Sequence, residues 1–176
     1  MATQFTQPLK KSDGMTALSR DFKTRFFDEK DLVEVQHINS TCLPENYSNS
    51  FFLNIHKRFP KTFIVITVDD KVVGYIMCRV EIGFSDLKRF KIGRKGHVIS
   101  LAVLPEHRGQ GIATALLLKA FSSLSENNVD ECYLEVRISN KPAILLYERF
   151  NFQTLRTIHK YYLDGEDAYM MLKALV

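Results

Sequence analysis

Between His97 and Val136 the chain runs from a β-branched segment, HVISLAV, through a polar turn, PEHRGQ, straight into GIATALLLKAFSSL and on to a second strand, ECYLEV. Ile112, Ala115, Leu116 and Ala120 recur at helical spacing, so the order is strand, turn, helix, strand. Such a unit implies a locally parallel strand pair with a right-handed crossover. It also sets a helix N-terminus directly after a strand. The first N–H groups of a helix have no intrahelical partners and lie at the positive end of its dipole, so the turn from Arg108 to Ala113 can cradle an anion such as a pyrophosphate. Gly109 and Gly111 allow positive φ and close backbone approach, Ala113 leaves the first turn uncovered, and Arg108 adds a cation at the rim. Neither GxxxxGK[ST] nor GxGxxG with a following acidic residue is present, which excludes the two familiar nucleotide motifs. The bland alternative is a tight strand-to-helix turn without a ligand.

The flanking segments alternate in the same way and point to a mixed α/β domain. DFKTRFF reads as a first strand, and Asp28 N-caps a helix that carries Leu32, Val35, Ile38 and Asn39 on one face and ends near Leu43–Tyr47. SNSFFLNIHKRF is a second short helix closed by Pro60. TFIVITV and VVGYIMCRV form an antiparallel pair across Asp69, Asp70 and Lys71, a hairpin of the longer-loop kind. After ECYLEV, Ser139 can N-cap a helix from about Lys141 to Phe150, and RTIHKYY and AYMMLKA supply two last strands. The sheet is therefore mixed, with about seven strands and about four helices in one domain. Residues 1–20 are polar, contain Pro8 and Gly14, and read as a flexible extension before the domain at 21–176.

At 176 residues, 45% hydrophobic and 25% charged, the chain has the size and composition of one globular domain. Its net charge of +4 is too small to argue for general nucleic-acid binding. Cys42, Cys78 and Cys132 fit neither a disulfide framework nor a zinc spacing, and they read as reduced thiols of a cytoplasmic protein. No apolar run approaches a membrane span, and Met1–Arg20 lacks the apolar centre of a signal peptide.

HVISLAVLPEHRGQGIATALL, with Arg108, Gly111 and Ala113 in the pattern [QR]xxGx[GA], resembles the acetyl-CoA-binding core of the GCN5-related N-acetyltransferase (GNAT) superfamily. YLEVRISNKPAILLYERFNF is similar to the next strand and helix of that superfamily. More narrowly, LPENY, RKGHVISLAV, LEVRISN and KYYLDGEDAYMM together resemble protein N-terminal acetyltransferases of the NatA catalytic-subunit and RimI type, with archaeal forms nearest in pattern. The resemblance runs from about Phe22 to Leu175.

This resemblance implies an α/β GNAT fold and an enzyme that moves acetyl from acetyl-CoA to the α-amino group of nascent or mature proteins, by direct attack in a ternary complex. The CoA contacts fall on Leu101, Ala102, Val103, Arg108, Gly109, Gln110, Gly111, Ile112, Ala113, Thr114, Asn140 and Tyr147. The backbone of Leu101–Val103 would polarise the thioester carbonyl where its strand splays from a neighbour. His97 and Glu135 would take the proton of the amine, a modest task because an α-amino group has an ordinary pKa of about 7.7 to 8.0. Tyr147 would act as the acid toward the CoA thiolate. Glu45, Tyr47, Tyr161 and Tyr162 would hold the first residues of the peptide. Read without the resemblance, His97 is a strand-edge histidine, Glu135 an ion-pair partner of Arg137, Asn140 a helix-start residue, and the tyrosines core or interface packing. No required metal is expected, because His97 and Glu135 alone are too few ligands for zinc. The resemblance leaves open a ribosomal or auxiliary-subunit partner and implies no nucleic-acid or membrane role. Two other functions stand beside it: acetylation of a lysine side chain or small amine, and a non-catalytic acyl-CoA-binding module.

From Ser85 to His97 the chain reads SDLKRFKIGRKGH, in which Lys88, Arg89, Lys91, Arg94 and Lys95 against Asp86 equal the whole net charge. The segment reads as a solvated loop whose field could attract CoA phosphates or an acidic peptide.

Overall fold

The computed structural model describes residues 21–175 apart from Arg89. The expected extension at 1–20 lies outside the described residues. Seven strands form one sheet: β1 (Phe22–Phe26), β2 (Phe63–Val68), β3 (Lys71–Phe84), β4 (Ile92–Val103), β5 (Glu131–Arg137), β6 (Gln153–Ile158) and β7 (Ala168–Ala174), in the spatial order β1-β2-β3-β4-β5-β7-β6. Helices α1 (Leu32–Cys42), α2 (Asn49–Arg58), α3 (Ile112–Glu126) and α4 (Lys141–Arg149) cover its two faces. The pairings are antiparallel except for β4 with β5, the pair that α3 connects. A mixed seven-stranded sheet with four α-helices is the α/β architecture expected from the sequence.

Two apolar layers hold these parts together. On one face Ile112, Leu116, Leu117, Ala120 and Leu124 of α3, with Ile144 and Tyr147 of α4, pack on Ile64, Ile66, Ile76, Val98 and Leu134 of the sheet. On the other, Val35 and Ile38 of α1 and Phe52 and Ile55 of α2 pack on Phe63, Val65, Tyr75 and Met77. Strand residues alternate between the layers, which is why the central strands read as continuous apolar runs. Asp28 does cap a helical start: its side chain accepts from the Lys30 N–H in a single 3-10 turn, with Asp31 completing a capping box, and α1 follows.

Four boundaries differ from the sequence expectation. The hairpin between β2 and β3 is a tight one, with Asp69 and Asp70 both at positive φ (50° and 60°), a short acidic pair doing what Asn-Gly commonly does. The polar segment 85–97 is a loop only through Lys91, because β3 and β4 continue their pairing to Phe84↔Ile92 and place Arg94, Lys95 and His97 in a strand. Asn140, not Ser139, caps α4, its side chain accepting from the Ala143 N–H at 3.3 Å. The sixth strand starts at Gln153 and stops at Ile158, before Lys160 turns the chain at φ 51°, so Tyr161 and Tyr162 stand in a turn and not in a strand.

Candidate active site

The parallel ladder between β4 and β5 is short, running from Lys95↔Glu131 to Val98↔Leu134. Just past it, β4 carries one extra residue: Cys78 pairs with Val98 and Met77 with Ser100, leaving Ile99 as a bulge. Ser100 is thereby turned to the same side as Ile99, where its hydroxyl meets the buried hydroxyl of Tyr75 at 2.8 Å. Beyond Val98 and Leu134 the strands separate, and a cleft of about 620 Å³ opens between Ile99–Leu101 on one side and Glu135–Arg137 on the other. It passes through the sheet. Glu45, Tyr47, Tyr161 and Tyr162 line it on one face, and Asn140, Ala143 and Tyr147 on the other.

His97 and Glu135 meet at the apex of this fork. Both side chains lie on the same face of adjacent strands, and His97 Nε2 is 2.7 Å from Glu135 Oε2. The imidazole stacks on Tyr133, with ring centroids 4.4 Å apart and planes 6° from parallel. Tyr133 is held in turn, because its hydroxyl donates to Glu81 at 2.7 Å. Burial works to raise the Glu81 carboxyl, but that bond and Arg79 bring it below the ordinary range. His97 Nδ1 is buried and has no hydrogen-bond partner among the described residues.

Glu45 and Tyr47 sit in the segment between α1 and α2, which Asn39 organises from within α1. The Asn39 amide Nδ2 donates to the Glu45 carbonyl at 3.1 Å and to Tyr75, and its Oδ1 accepts from the Tyr47 N–H at 3.2 Å. Arg137 ties this segment to the turn after β6. Its guanidinium donates to Glu45 at 2.5 Å, to Asp164 and Glu166 at 2.7 Å each, and lies 3.9 Å from the centroid of the Tyr162 ring. Burial pushes the hydroxyls of Tyr47, Tyr161 and Tyr162 upward, with Glu45 or Glu135 adding to it, and Tyr161 reaches about 12. All three are therefore neutral hydroxyls at neutral pH.

The second site is the expected anion cradle. Val103 leads through a short turn to Arg108, Gly109 at φ 75° and Gly111 at φ 81°, and Gly111 caps α3 with no side-chain hydrogen bond. The N–H groups of Ile112, Ala113 and Thr114 thus open into a cavity of about 270 Å³, which Pro142 and Arg149 close from α4. A Cβ on either glycine would meet nothing within 4 Å, so positive φ, and not crowding by protein, requires glycine there. That open space beside unclaimed donors fits a pyrophosphate.

Most sequence-derived candidates converge, with a few departures. Leu101 and Asn140 line the cleft, and Val103, Arg108, Gly109, Gly111, Ile112, Ala113 and Thr114 line the cradle. Arg108 Nε is committed to the Val103 carbonyl at 2.9 Å. Gln110 lines neither cavity and donates back to the Glu106 carbonyl. Ala102 is buried in the layer beneath α1, so only its backbone can serve. Glu135 pairs with His97, while Arg137 is taken by Glu45, Asp164 and Glu166. Sequence reasoning missed Arg79, Asn39, Arg137 as a link across the cleft, and Arg149 at the cradle. Arg137 alone had a visible signal, a cation at a strand end in a chain that later carries the acidic run DGED at 164–167.

A cleft opened by a split strand pair, with a glycine-lined helix N-terminus at the end of the same strand, fits an acyl-CoA-dependent N-acyltransferase. The acetyltransferase (GNAT) family model matches residues 32–152, and the chain belongs to that family. An N-alpha-acetyltransferase of Saccharolobus solfataricus is 48% identical over 158 residues, covering 89% of this chain and 95% of that protein. Among solved structures, Ard1 from Thermoplasma volcanium superposes with a TM-score of 0.77 at 30% identity, covering 88% of this chain and 98% of that one. Arabidopsis thaliana Naa50, in complex with the bisubstrate analogue CoA-Ac-MVNAL, superposes with a TM-score of 0.75 at 27% identity over 86% of this chain and 97% of that one.

Gly111→Trp fills the approach to the α3 N-terminus and is expected to weaken acetyl-CoA binding by about tenfold or more. Calorimetric titration checks it, and unchanged affinity would remove the cradle. Asn39→Ala releases the Glu45–Tyr47 segment, so the KM of an acceptor peptide is expected to rise several-fold while that of acetyl-CoA stays constant; initial-rate kinetics with each substrate varied separates the two.

Proposed function

We propose that the cleft transfers the acetyl group of acetyl-CoA to the α-amino group of protein and peptide N-termini, by direct attack with both substrates bound. The carrying observation is that a single cleft crosses the sheet, with His97 and Glu135 at its apex, peptide-facing groups on one face and Tyr147 on the other. Acetyl-CoA supplies the activated acyl group as a thioester. Glu135, steadied by His97, accepts the proton of the incoming ammonium directly or through one water, which leaves the nitrogen lone pair free to form the N–C bond. Glu45, fixed by Arg137, draws the amine toward that position. The released backbone of Leu101–Val103 donates to the thioester oxygen. As the C–S bond breaks, Tyr147 donates a hydrogen bond to the sulfur, the nitrogen gives up its second proton to water, and the departing thiolate takes one back from water, so that the products are the amide and CoA thiol. Tyr47, Tyr161 and Tyr162 receive the first backbone groups of the peptide. The reading extends to a cytoplasmic enzyme that works on nascent or finished chains with the ribosome or an auxiliary subunit as its platform.

The test is acetylation of peptides beginning Ser, Ala, Met-Leu and Met-Glu, each paired with an N-blocked version that keeps a free lysine. Acetyl is expected on the free N-termini by mass spectrometry, and transfer to lysine alone would sink the reading. Glu135→Gln is expected to lower kcat by about a hundredfold with acetyl-CoA affinity intact. If turnover stays within error of the parent enzyme, Glu135 is structural.

A further inference from the structure

One surface remains outside this reaction: the outer half of the β3–β4 ribbon. Along the face of the sheet that α3 covers, Leu124 sits directly over Gly96, where an added Cβ would come within 2.9 Å of it. Val80, opposite Gly96, packs into the same layer. Helix α3 then ends at Glu126 and the chain turns back through Asn128 at φ 55°. The ribbon does not end with it. The next same-face pairs, Ile82↔Arg94 and Phe84↔Ile92, carry the sheet about 13 Å further, at roughly 3.3 Å per residue from Val80 to Phe84. Ile82, Phe84 and Ile92 are 78%, 69% and 62% exposed. They form one apolar row that nothing among the described residues covers, with Arg94 within it and the exposed Lys88 and Lys91 at the tip.

The opposite face shows that this projection is held in place. Glu131, 1% exposed, accepts from the Ser85 hydroxyl at 2.6 Å and the Asp86 N–H at 2.9 Å, and Lys95 bonds Asp86 and lies 3.8 Å from Glu131. A buried carboxylate satisfied by the loop it anchors fixes the ribbon's geometry before any partner arrives, which lowers the ordering cost of binding.

We infer that this face is a docking surface for an acidic amphipathic helix of a partner protein. A half-apolar sheet face is buried in α/β domains by a helix, and the uncovered row lies on the continuation of the face where α3 stops, so the missing element is a helix. Its apolar stripe would cover Ile82, Phe84 and Ile92. The cations at Arg94, Lys88 and Lys91 select Asp or Glu along the flanks of that stripe. A second copy of this chain fits poorly, since a two-fold contact through this row would bring Arg94 and its equivalent together. Aliphatic Ile82 and Ile92 have nothing to offer phosphates or base edges, which argues against RNA. None of these residues lines the cleft or the cradle, so the surface is separate from the proposed chemistry.

The probe is a labelled synthetic helix of about five turns with a Leu stripe flanked by Glu, titrated into the full chain by fluorescence anisotropy. Controls are the same composition in scrambled order and a Lys-for-Glu version. The ordered acidic helix is expected to bind and the controls to bind at least about tenfold more weakly. Phe84→Ser should weaken the acidic helix by a similar factor, and Arg94→Glu should exchange the preference toward the Lys version. Acetylation of a short peptide is expected to be unchanged in both variants, which certifies their fold. Equal binding of ordered and scrambled peptides overturns the inference, as does insensitivity to both substitutions. It is equally overturned if RNA oligonucleotides or phosphatidylglycerol vesicles bind more tightly than the helix and lose that binding in the same variants, or if sedimentation shows a dimer that Phe84→Ser dissolves.

Discussion

The separation of β4 from β5 after Val98 and Leu134 is the constraint on which the rest of the structure depends. Neighbouring strands sit about 4.8 Å apart while they are hydrogen bonded, too close to admit a substrate between them. The bulge at Ile99 ends that closeness, and the buried Ser100–Tyr75–Asn39 chain gives the displaced strand a polar contact of its own. Because the fork opens one residue before Glu135, the last paired residues still hold His97 and Glu135 in hydrogen-bond contact while Arg137, two residues on, is free to reach across toward Glu45. The His97–Glu135 contact and the cleft beside it thus come from one local defect in a regular sheet.

The two ends of the proposed site are built from different materials. The cradle uses the backbone: a helix N-terminus, two positive-φ glycines and the released edge of β4, which would fix an anion without regard to most side chains. The other end uses long side chains from three separate segments that Arg137 draws together. A guanidinium shared among three carboxylates can spread its donors in a planar fork, which a lysine could not reproduce. Glu45 and the acids of the turn after β6 would otherwise repel one another across the opening. In the proposed reaction, loss of Arg137 would therefore act on acceptor binding before it acted on chemistry.

The strand, turn and helix of the cradle were legible because backbone requirements leave a mark in composition: glycine where φ is positive, apolar spacing where a helix is covered. The fold class and the parallel β4–β5 pair followed from the same alternation and from the crossover rule, while the spatial order of the last strands, β7 between β5 and β6, did not. What escaped was long-range and made by side chains. Asn39 reads as one more residue on the buried face of α1, and nothing local says that its amide organises a segment six to eight residues on. Arg79 is one cation in a strand until β4 brings His97 opposite to it. The ribbon beyond Arg79 looked like a charged loop because one of its faces is polar and the other apolar but exposed, so period-two alternation there carries charge on both sides. Tyr161 and Tyr162 resembled a strand end by type, and a single positive φ at Lys160 made them a turn.

Tyr147 illustrates how the environment refines a role that residue type only suggests. Its ring is buried against Phe152 and beside the thiols of Cys78 and Cys132, and burial drives its hydroxyl well above the ordinary phenol range, with the two thiols adding to it. A free thiol has a pKa of about 8.5, so complete transfer of a proton from such a phenol to a leaving thiolate would run uphill. Donation of a hydrogen bond has no such cost, and in a site with little water it is worth more than it would be in solution. The same burial that makes Tyr147 a poor Brønsted acid keeps it protonated at every pH at which the α-amine can react. In the proposed reaction its contribution would thus be to stabilise developing negative charge on sulfur, while the proton released by the amine would leave by the other face of the sheet, through Glu135 and His97.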